Sequence, residues 1–389
     1  MRFFFAEKGF TVKIFHLADL HLGKKVNGFS MTEDQTHILS EVLASVEKEK
    51  PAAIIIAGDV YDKGIPTIEA VQLFDDFLCK LVELGIKVFV VSGNHDSAER
   101  ISFGSRLMTL SGVHFSKCYD GSAECISLED DFGKLNFYLL PFVKPATVRP
   151  FFEDEEISSY TDAIRAAVNR MNINPSERNI LISHQFVTGA IQSDSEEKCI
   201  GGLDNVDASV FEPFDYVALG HIHRPQKIQK DTIRYSGSPL KYSFSEASHN
   251  KSITVIDFAE KGSLELSFIP LVPLHDLREI KGSYEELTFR PNYENTAVDD
   301  YLHITLTDEM DVPDVLGKLR IIYPNIMKLD YENSRTKAAE NLSAESMPEK
   351  KAPLELVQEF YENRNGRPMT EEQFSFVKEI AEKLQEGEK

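Results

Sequence analysis

Five short clusters bring carboxylate, imidazole and amide side chains together at close spacing. They are Asp19-Leu20-His21, Gly58-Asp59-Val60-Tyr61-Asp62, Gly93-Asn94-His95-Asp96, Ser183-His184 and Gly220-His221-Ile222-His223. None contains cysteine, so the donors are oxygen and imidazole nitrogen, a mixed set suited to Mn²⁺, Fe²⁺ or Zn²⁺. Two such ions roughly 3.5–4 Å apart clamp the attacking and leaving oxygens of an in-line phosphoryl displacement. That arrangement needs one carboxylate able to touch both ions. Asp59 is the natural bridge, because it follows an apolar run (Ala52–Ala57) and a glycine that lets the backbone turn. Taken singly, each cluster is a weak signal, and a lone D-x-H at a strand end is more often a surface loop than a ligand pair. In this order, each beyond an apolar run, packing alone gives no reason for them. His16, His37, His114, His249, His275 and His303 fall outside the clusters and read as surface or satisfied core histidines.

The apolar runs before the clusters are the elements that must position them. Val12–Ala18, Ala52–Ala57, Lys87–Val91, Leu135–Leu140, Ile180–Ser183 and Tyr216–Leu219 read as buried strands bounded by turn residues. Ligand sites in α/β proteins gather beyond the carboxyl ends of strands, so clusters distant in sequence can converge. A helix between the first two strands has Ser30 and Glu33 spaced as a capping box. Its apolar stripe is Ile38, Leu39, Val42, Leu43 and Val46. Others cover Ile68 to Leu84, stopping at Gly85, and Asp162 to Met171. From Ile233 to Leu271 the pattern is mostly β, with Gly262 at a hairpin tip, which predicts a body built on two sheets. After Pro273 strands and one helix continue (Tyr301–Leu306, Val312–Leu319) without the chemical clusters. Asn333 to Ala352 reads as a polar linker. Beyond it lie two short amphipathic helices: Leu354, Val357, Phe360 and Tyr361 share one face of the first, and Phe374, Val377, Ile380, Ala381 and Leu384 one face of the second. Helices of this length are marginal in isolation, so both stripes need a partner surface. Met1–Phe10 has no strand or helix period and is expected to be a dispensable extension.

A chain of 389 residues exceeds what one core usually serves. Its apolar runs are too short to span a bilayer, and its four cysteines (Cys79, Cys118, Cys125, Cys199) form no C-x-x-C pair, as expected of a cytoplasmic protein. The net charge of −21 runs against the basic footprint of nucleic-acid binding, so metal ions or a partner subunit would have to supply positive charge.

The ordered clusters resemble those of the calcineurin-like metallophosphoesterase superfamily, over roughly Val12 to Leu271. The resemblance implies an α/β, two-sheet αββα metallophosphoesterase sandwich, with Asp19, His21, Asp59 and His223 on one metal and Asp59, Asn94, His184 and His221 on the other. It makes His95 the catalytic histidine, with Asp62 placed to hydrogen-bond it. Lys63 and Asp96 stand where the protein phosphatases of the superfamily carry Arg and Glu. Asn94–Ser97 with Glu99–Ser105, Arg234–Leu240, Tyr242–Glu246, Ile200-Gly201-Gly202 and Asp204-Asn205-Val206 are instead similar to bacterial nuclease subunits of double-strand-break repair complexes. That likeness implies metal-dependent double-strand exonuclease and single-strand or hairpin endonuclease activity, with Mn²⁺ the expected metal and DNA the substrate. It also implies an SbcC-type ATPase partner and a homodimer within a heterotetramer, formed through Ile68–Leu84 and Ile101–Leu110. The expected division is 1–272 nuclease domain, 273–332 small α+β capping domain, 333–352 linker and 353–389 SbcC-binding C-terminal helices. Lys24 and Lys25 read equally as phosphate contacts or a solvated pair. Leu73, Phe74, Phe77 and Leu78 read as dimer contacts or plain core. A phosphatase or phosphodiesterase acting on a non-DNA phosphoester, or a silent DNA-tethering scaffold, are the competing readings.

Overall fold

The computed structural model describes residues 12–196, 205–334, 336, 353–365 and 367–387. The Met1–Phe10 extension, Cys199, Ile200–Gly202, Asp204 and nearly all of the 333–352 linker lie outside the described residues, as do the side chains of Leu354 and Leu384.

Two six-stranded mixed sheets face each other. Across the first run Leu264–Pro270, Ser252–Phe258, Val12–Leu17, Ala53–Ala57, Lys87–Val91 and Val113–Phe115. Across the second run Gln226–Ile228, Lys230–Tyr235, Tyr216–Gly220, Arg178–His184, Gly133–Leu140 and Glu124–Asp130. Ile14, Ile55 and Phe89 of the first meet Phe137, Ile180 and Tyr216 of the second in a dry core, with Phe89 and Phe137 stacked at 4.1 Å. Helices α1 (Thr32–Glu49) and α2 (Ile68–Glu83) cover the outer face of the first sheet, and helix Tyr160–Asn169 the outer face of the second. The layering is αββα. A central strand such as Ala53–Ala57 is buried on both faces, which is why it reads as an unbroken apolar run. Val12–Leu17, Ala53–Ala57 and Lys87–Val91 are parallel, so their carboxyl ends reach one rim. Arg178–His184 and Tyr216–Gly220, also parallel, end beside each other with Gly220 opposite His184.

The expected strands and helices are present within a few residues. Helix α1 differs at its start: Met31 is its N-cap without a side-chain bond, and Ser30 Oγ bonds Thr32 Oγ1 (3.0 Å) instead of closing a box with Glu33. The later helix begins at Val315 rather than Val312, because Pro313 and a left-handed Asp314 precede it. Strand Glu124–Asp130 was not expected. Its half-buried, half-exposed alternation over charged residues is the pattern of a sheet edge.

Three parallel strands, Leu277–Gly282, Tyr301–Leu306 and Ile326–Tyr331, form a further small sheet with its own apolar cluster around Leu302, Ile304 and Leu319. Helices Pro353–Asn365 and Glu371–Gly387 follow. Among their described side chains Val357, Phe360 and Ile380 are exposed, and Tyr361, Phe374 and Val377 are half-buried. Among the described residues, no helix is long and apolar enough to cross a membrane.

Candidate metal centre

The loops after the first two parallel strands continue to pair beyond the sheet. Asp19 N donates to Gly58 O (3.0 Å), His21 N to Asp59 O (2.9 Å) and Leu22 N to Val60 O (2.9 Å). This pairing holds three side-chain-bearing residues in left-handed backbone, Asp19 (φ 55°), His21 (φ 44°) and Asp59 (φ 49°), with His221 (φ 102°) facing them. Such conformations are costly for non-glycine residues and persist only where the surroundings over-determine them. Two glycines make the approach possible. A Cβ on Gly58 would lie 2.3 Å from the His184 ring, and one on Gly93 would lie 2.1 Å from Asp59 Oδ1. The Asp96 carboxylate clamps the neighbouring loops, accepting Val60 N (3.1 Å), Tyr61 N (3.0 Å) and Gly93 N (2.9 Å). Burial, reinforced by nearby Asp59, pushes Asp96 up to about 6.

The seven proposed ligands converge from both sheets. His184 Nε2 lies 3.0 Å from Asn94 Oδ1 and 3.3 Å from Asp59 Oδ2, while His221 Nδ1 lies 2.9 Å from the same Asn94 oxygen. On the other side His21 Nε2 faces His223 Nε2 at 3.0 Å and Asp59 Oδ2 at 3.6 Å. Asp19, His21 and His223 offer ligand atoms within 4.8 Å of one another, and so do Asp19, Asp59 and His184. One oxygen, Asp59 Oδ2, therefore stands between the two groups, while Asp59 Oδ1 is occupied by His95 N (3.0 Å).

The hydrogen bonding shows that these atoms suit cations. His184 Nδ1 faces the Ala57 carbonyl (2.8 Å), which only accepts, so that nitrogen carries the proton and the Nε2 lone pair points at two oxygens. Three lone pairs in contact require a positive charge among them. Burial alone would lower His184, but Asp59 outweighs it and raises the ring to about 9. Among the described residues, the buried atoms Asp19 Oδ2, His21 Nδ1 and His221 Nε2 have no hydrogen-bond partner. Burial pushes Asp19 up to about 6 and holds His21 well below the usual histidine range. Buried carboxylate, imidazole and amide groups gathered around Asp59 fit divalent cations.

His95 lies beside this set, its ring edge-on to His21 at 4.8 Å. Its Nδ1 bonds the backbone carbonyl of Asp62 (3.0 Å), not the carboxylate expected from sequence. That carboxylate instead takes Lys24 Nζ at 2.7 Å and approaches His21 Nδ1 at 3.8 Å. The backbone carbonyl fixes the same Nδ1–H tautomer the carboxylate would have fixed. Lys24 is thus an ion-pair partner, whereas Lys25 is exposed.

Sequence reading missed the layer behind His223. Glu246 is fully buried; its carboxylate receives Lys251 Nζ and Ser195 Oγ and lies 3.4 Å from His223 Nδ1. Ser195 Oγ is itself 2.8 Å from His223 Nδ1, and Glu196 Oε1 accepts His223 N (2.8 Å). Burial works against a charged Glu246, yet Lys251 and His223 hold it well below the usual carboxylate range. Partners of this kind fix the ring orientation of a metal-binding histidine. The only signal was the run Tyr242–Glu246, which carries a family likeness but no evident role.

The αββα sandwich, with buried histidine and aspartate groups gathered at one rim, defines a metal-dependent phosphoesterase. A family model described as calcineurin-like phosphoesterase matches residues 12–225, and one described as type 5 capsule protein repressor C-terminal domain matches residues 273–365. The SbcD component of the SbcCD nuclease from Staphylococcus epidermidis is 35% identical over 373 residues, 95% of this chain and 98% of its own. Its Staphylococcus saprophyticus namesake is 32% identical over 386 residues, 97% and 100% of the two chains. A dimetal phosphatase from Danio rerio, 11% identical, aligns over 67% of this chain and 96% of its own with a TM-score of 0.41, a remote likeness. Within the calcineurin-like class, this chain belongs to the SbcD family of nuclease subunits.

Proposed function

We propose that this chain is a two-metal DNA phosphodiester hydrolase, acting as a double-strand exonuclease and a single-strand or hairpin endonuclease. It would work in the cytoplasm with an SbcC-type ATPase in DNA end processing, recombination and replication. The observation that carries this reading is Asp59 Oδ2, lying within 3.6 Å of His21 Nε2 and 3.3 Å of His184 Nε2. Asp19, His21, Asp59 and His223 would hold one ion and Asp59, Asn94, His184 and His221 the other, with Mn²⁺ the best fit to this donor set. When bound, the ions supply positive charge that polarises the scissile phosphate and offsets the charge developing on it. In its imidazolium form His95 would present Nε2–H to that phosphate and pass this proton to the leaving oxygen, keeping Nδ1–H anchored on the Asp62 carbonyl. Lys24 neutralises Asp62 beside the site. Lys25 lines a groove of about 670 Å³ with Ser243, Phe244, Ser245 and Lys328, a path along which a DNA backbone would pass.

The chain divides into a nuclease body (1–272), capping domain (273–332), linker (333–352) and helices for SbcC (353–389). The exposed Val357, Phe360 and Ile380 support a docking role for the last segment. A homodimer within a heterotetramer is supported by Ile65, Ile68, Phe103, Leu107 and Leu110, exposed at 73–85% around α2 and the helices after Asp96. Phe74, Phe77 and Leu78 are core and take no part in it. Positive charge for DNA would come from the ions and from the partner, since this chain carries −21.

The test is cleavage of an end-labelled DNA hairpin in Mn²⁺, with and without an SbcC-type ATPase and ATP, beside a phosphopeptide and a small phosphodiester. Hairpin cleavage that the ATPase accelerates supports the proposal. Turnover of the small substrates with no cleavage of DNA would overturn it.

A further inference from the structure

The first turn of α1 holds two neighbouring side chains that grip different parts of the molecule. Gln35 is fully buried and spends its amide on the metal-side loop: Nε2 donates to His21 O (2.7 Å) and Tyr242 OH (3.1 Å), and Oε1 accepts Gly23 N (2.9 Å). Tyr242 OH in turn bonds Leu20 O, and its ring stands edge-on to His21 at 5.7 Å. This loop carries the left-handed Asp19 and His21, so these bonds help to over-determine it. Asp34, one residue earlier and equally buried, turns to the small sheet. Its Oδ1 accepts His275 N (3.0 Å) and His275 Nδ1 (3.0 Å), and its Oδ2 accepts Tyr301 OH (2.8 Å). Tyr301 pairs with Leu277 in that sheet, and its ring also meets Phe29 at 5.8 Å, in the short ribbon that follows His21. Nothing in folding the sandwich requires a buried carboxylate at position 34. Every bond the structure gives it goes to the segment 275–301.

We propose that the first turn of α1 is a coupling element, in which Asp34 and Gln35 lock the three-stranded sheet to the His21 loop, so that displacement of this sheet loosens one half of the metal centre. Asp34 and Gln35 are positioning residues: neither offers an atom to the centre. A helix turn is stiff, so a pull on Asp34 is felt at Gln35 rather than absorbed between them. A partner that moves the small sheet would thereby tune the geometry around His21 without touching it. The inference rests on the metal role proposed for His21.

Amide hydrogen exchange on the full chain, with Mn²⁺ titration calorimetry, tests it. Tyr301→Phe removes one oxygen from the sheet side, Asp34→Asn weakens the grip on both partners, and Gln35→Ala cuts the loop side. Lys261→Ala, which breaks the ion pair with Asp215, is a control outside the path. Losing one such bond corresponds to about threefold to tenfold in a local opening equilibrium. Exchange across residues 19–24 is expected to accelerate by that factor in Tyr301→Phe and Asp34→Asn, and further in Gln35→Ala, with Lys261→Ala unchanged there. Mn²⁺ affinity at one of two sites should fall in parallel. Wild-type exchange over 19–24 in both Tyr301→Phe and Asp34→Asn, with acceleration only in Gln35→Ala, would overturn the coupling. Accelerated exchange in proteins that take up no Mn²⁺ would uphold the coupling and remove the metal assignment instead.

Discussion

Replacing Glu246 with glutamine asks how far His223 depends on the charge behind it. The amide keeps the shape and one acceptor oxygen, but it strips the nearest counter-charge from Lys251, a residue only 6% exposed. Its NH₂ would also meet the donors Lys251 Nζ or Ser195 Oγ. Removing one member of a buried ion pair costs about 3–5 kcal/mol. Lys251 keeps bonds to His223 O and Ser238 Oγ (2.8 Å each), which places the loss near the lower end, about 3 kcal/mol. With the ring less firmly held, metal affinity should fall by about ten- to a hundredfold. Urea unfolding gives the first quantity and Mn²⁺ calorimetry the second. The double variant Glu246→Gln with Lys251→Met separates them. It no longer strands an ammonium, so stability should recover by about 2 kcal/mol while metal affinity stays low. If Glu246→Gln unfolds at the wild-type urea midpoint and binds two Mn²⁺ with wild-type affinity, the reasoning about His223 is refuted.

His95→Asn is expected to abolish hairpin cleavage with both metals retained by elemental analysis, whereas Asp59→Ala, lacking the shared oxygen, should lose metal from both sites; metal loss in the His95 variant would reassign that ring as a ligand. Among metals added back after chelation, Mn²⁺ should support strong cleavage and Mg²⁺ weak cleavage, because Mg²⁺ prefers an oxygen octahedron and gains little from histidine; equal saturating rates would contradict the ligand set. Truncation after Asn333 should leave Mn²⁺-dependent cleavage by the isolated subunit largely intact and abolish co-purification with the SbcC-type ATPase, so undiminished binding would dismiss the tail as the docking element. Phe103→Glu with Leu107→Glu should convert a dimer to a monomer in sedimentation without lowering Tm, since both side chains are more than 70% exposed; an unchanged sedimentation coefficient would count against that interface.

The rim of the sandwich was readable because each cluster follows an apolar run of strand length. The body strands surrounded by other elements, such as Ala53–Ala57, announce themselves by composition alone. The edge strand Glu124–Asp130 does not, because half its residues face water. Helix α1 was legible in its apolar stripe but not in its start, where backbone contacts from Lys24 to Met31 set the first turn in place of a side-chain cap. Donor types and spacing pointed to the seven converging residues. They could not reveal that Asp62 turns its carboxylate to Lys24 and offers His95 a carbonyl, because side-chain direction in a loop follows from three-dimensional neighbours. Glu246 and Lys251 were invisible for a related reason. A buried ion pair five residues apart looks in sequence like any solvated pair of charges.

The centre draws on both sheets, with Asp19, His21, Asp59 and Asn94 arriving from the first and His184, His221 and His223 from the second. The chain up to residue 183 holds only the first four of these seven. If these seven side chains hold the ions as proposed, the complete set exists only once the second sheet has docked across the dry core. An ion that binds only the closed sandwich also shifts the balance against the open one, by an amount that grows with the logarithm of its concentration. The same ions that would serve chemistry would thus also act as rivets between two layers that meet over a largely apolar core. Starving a cell of metal would silence such an enzyme and also shorten the lifetime of its folded state.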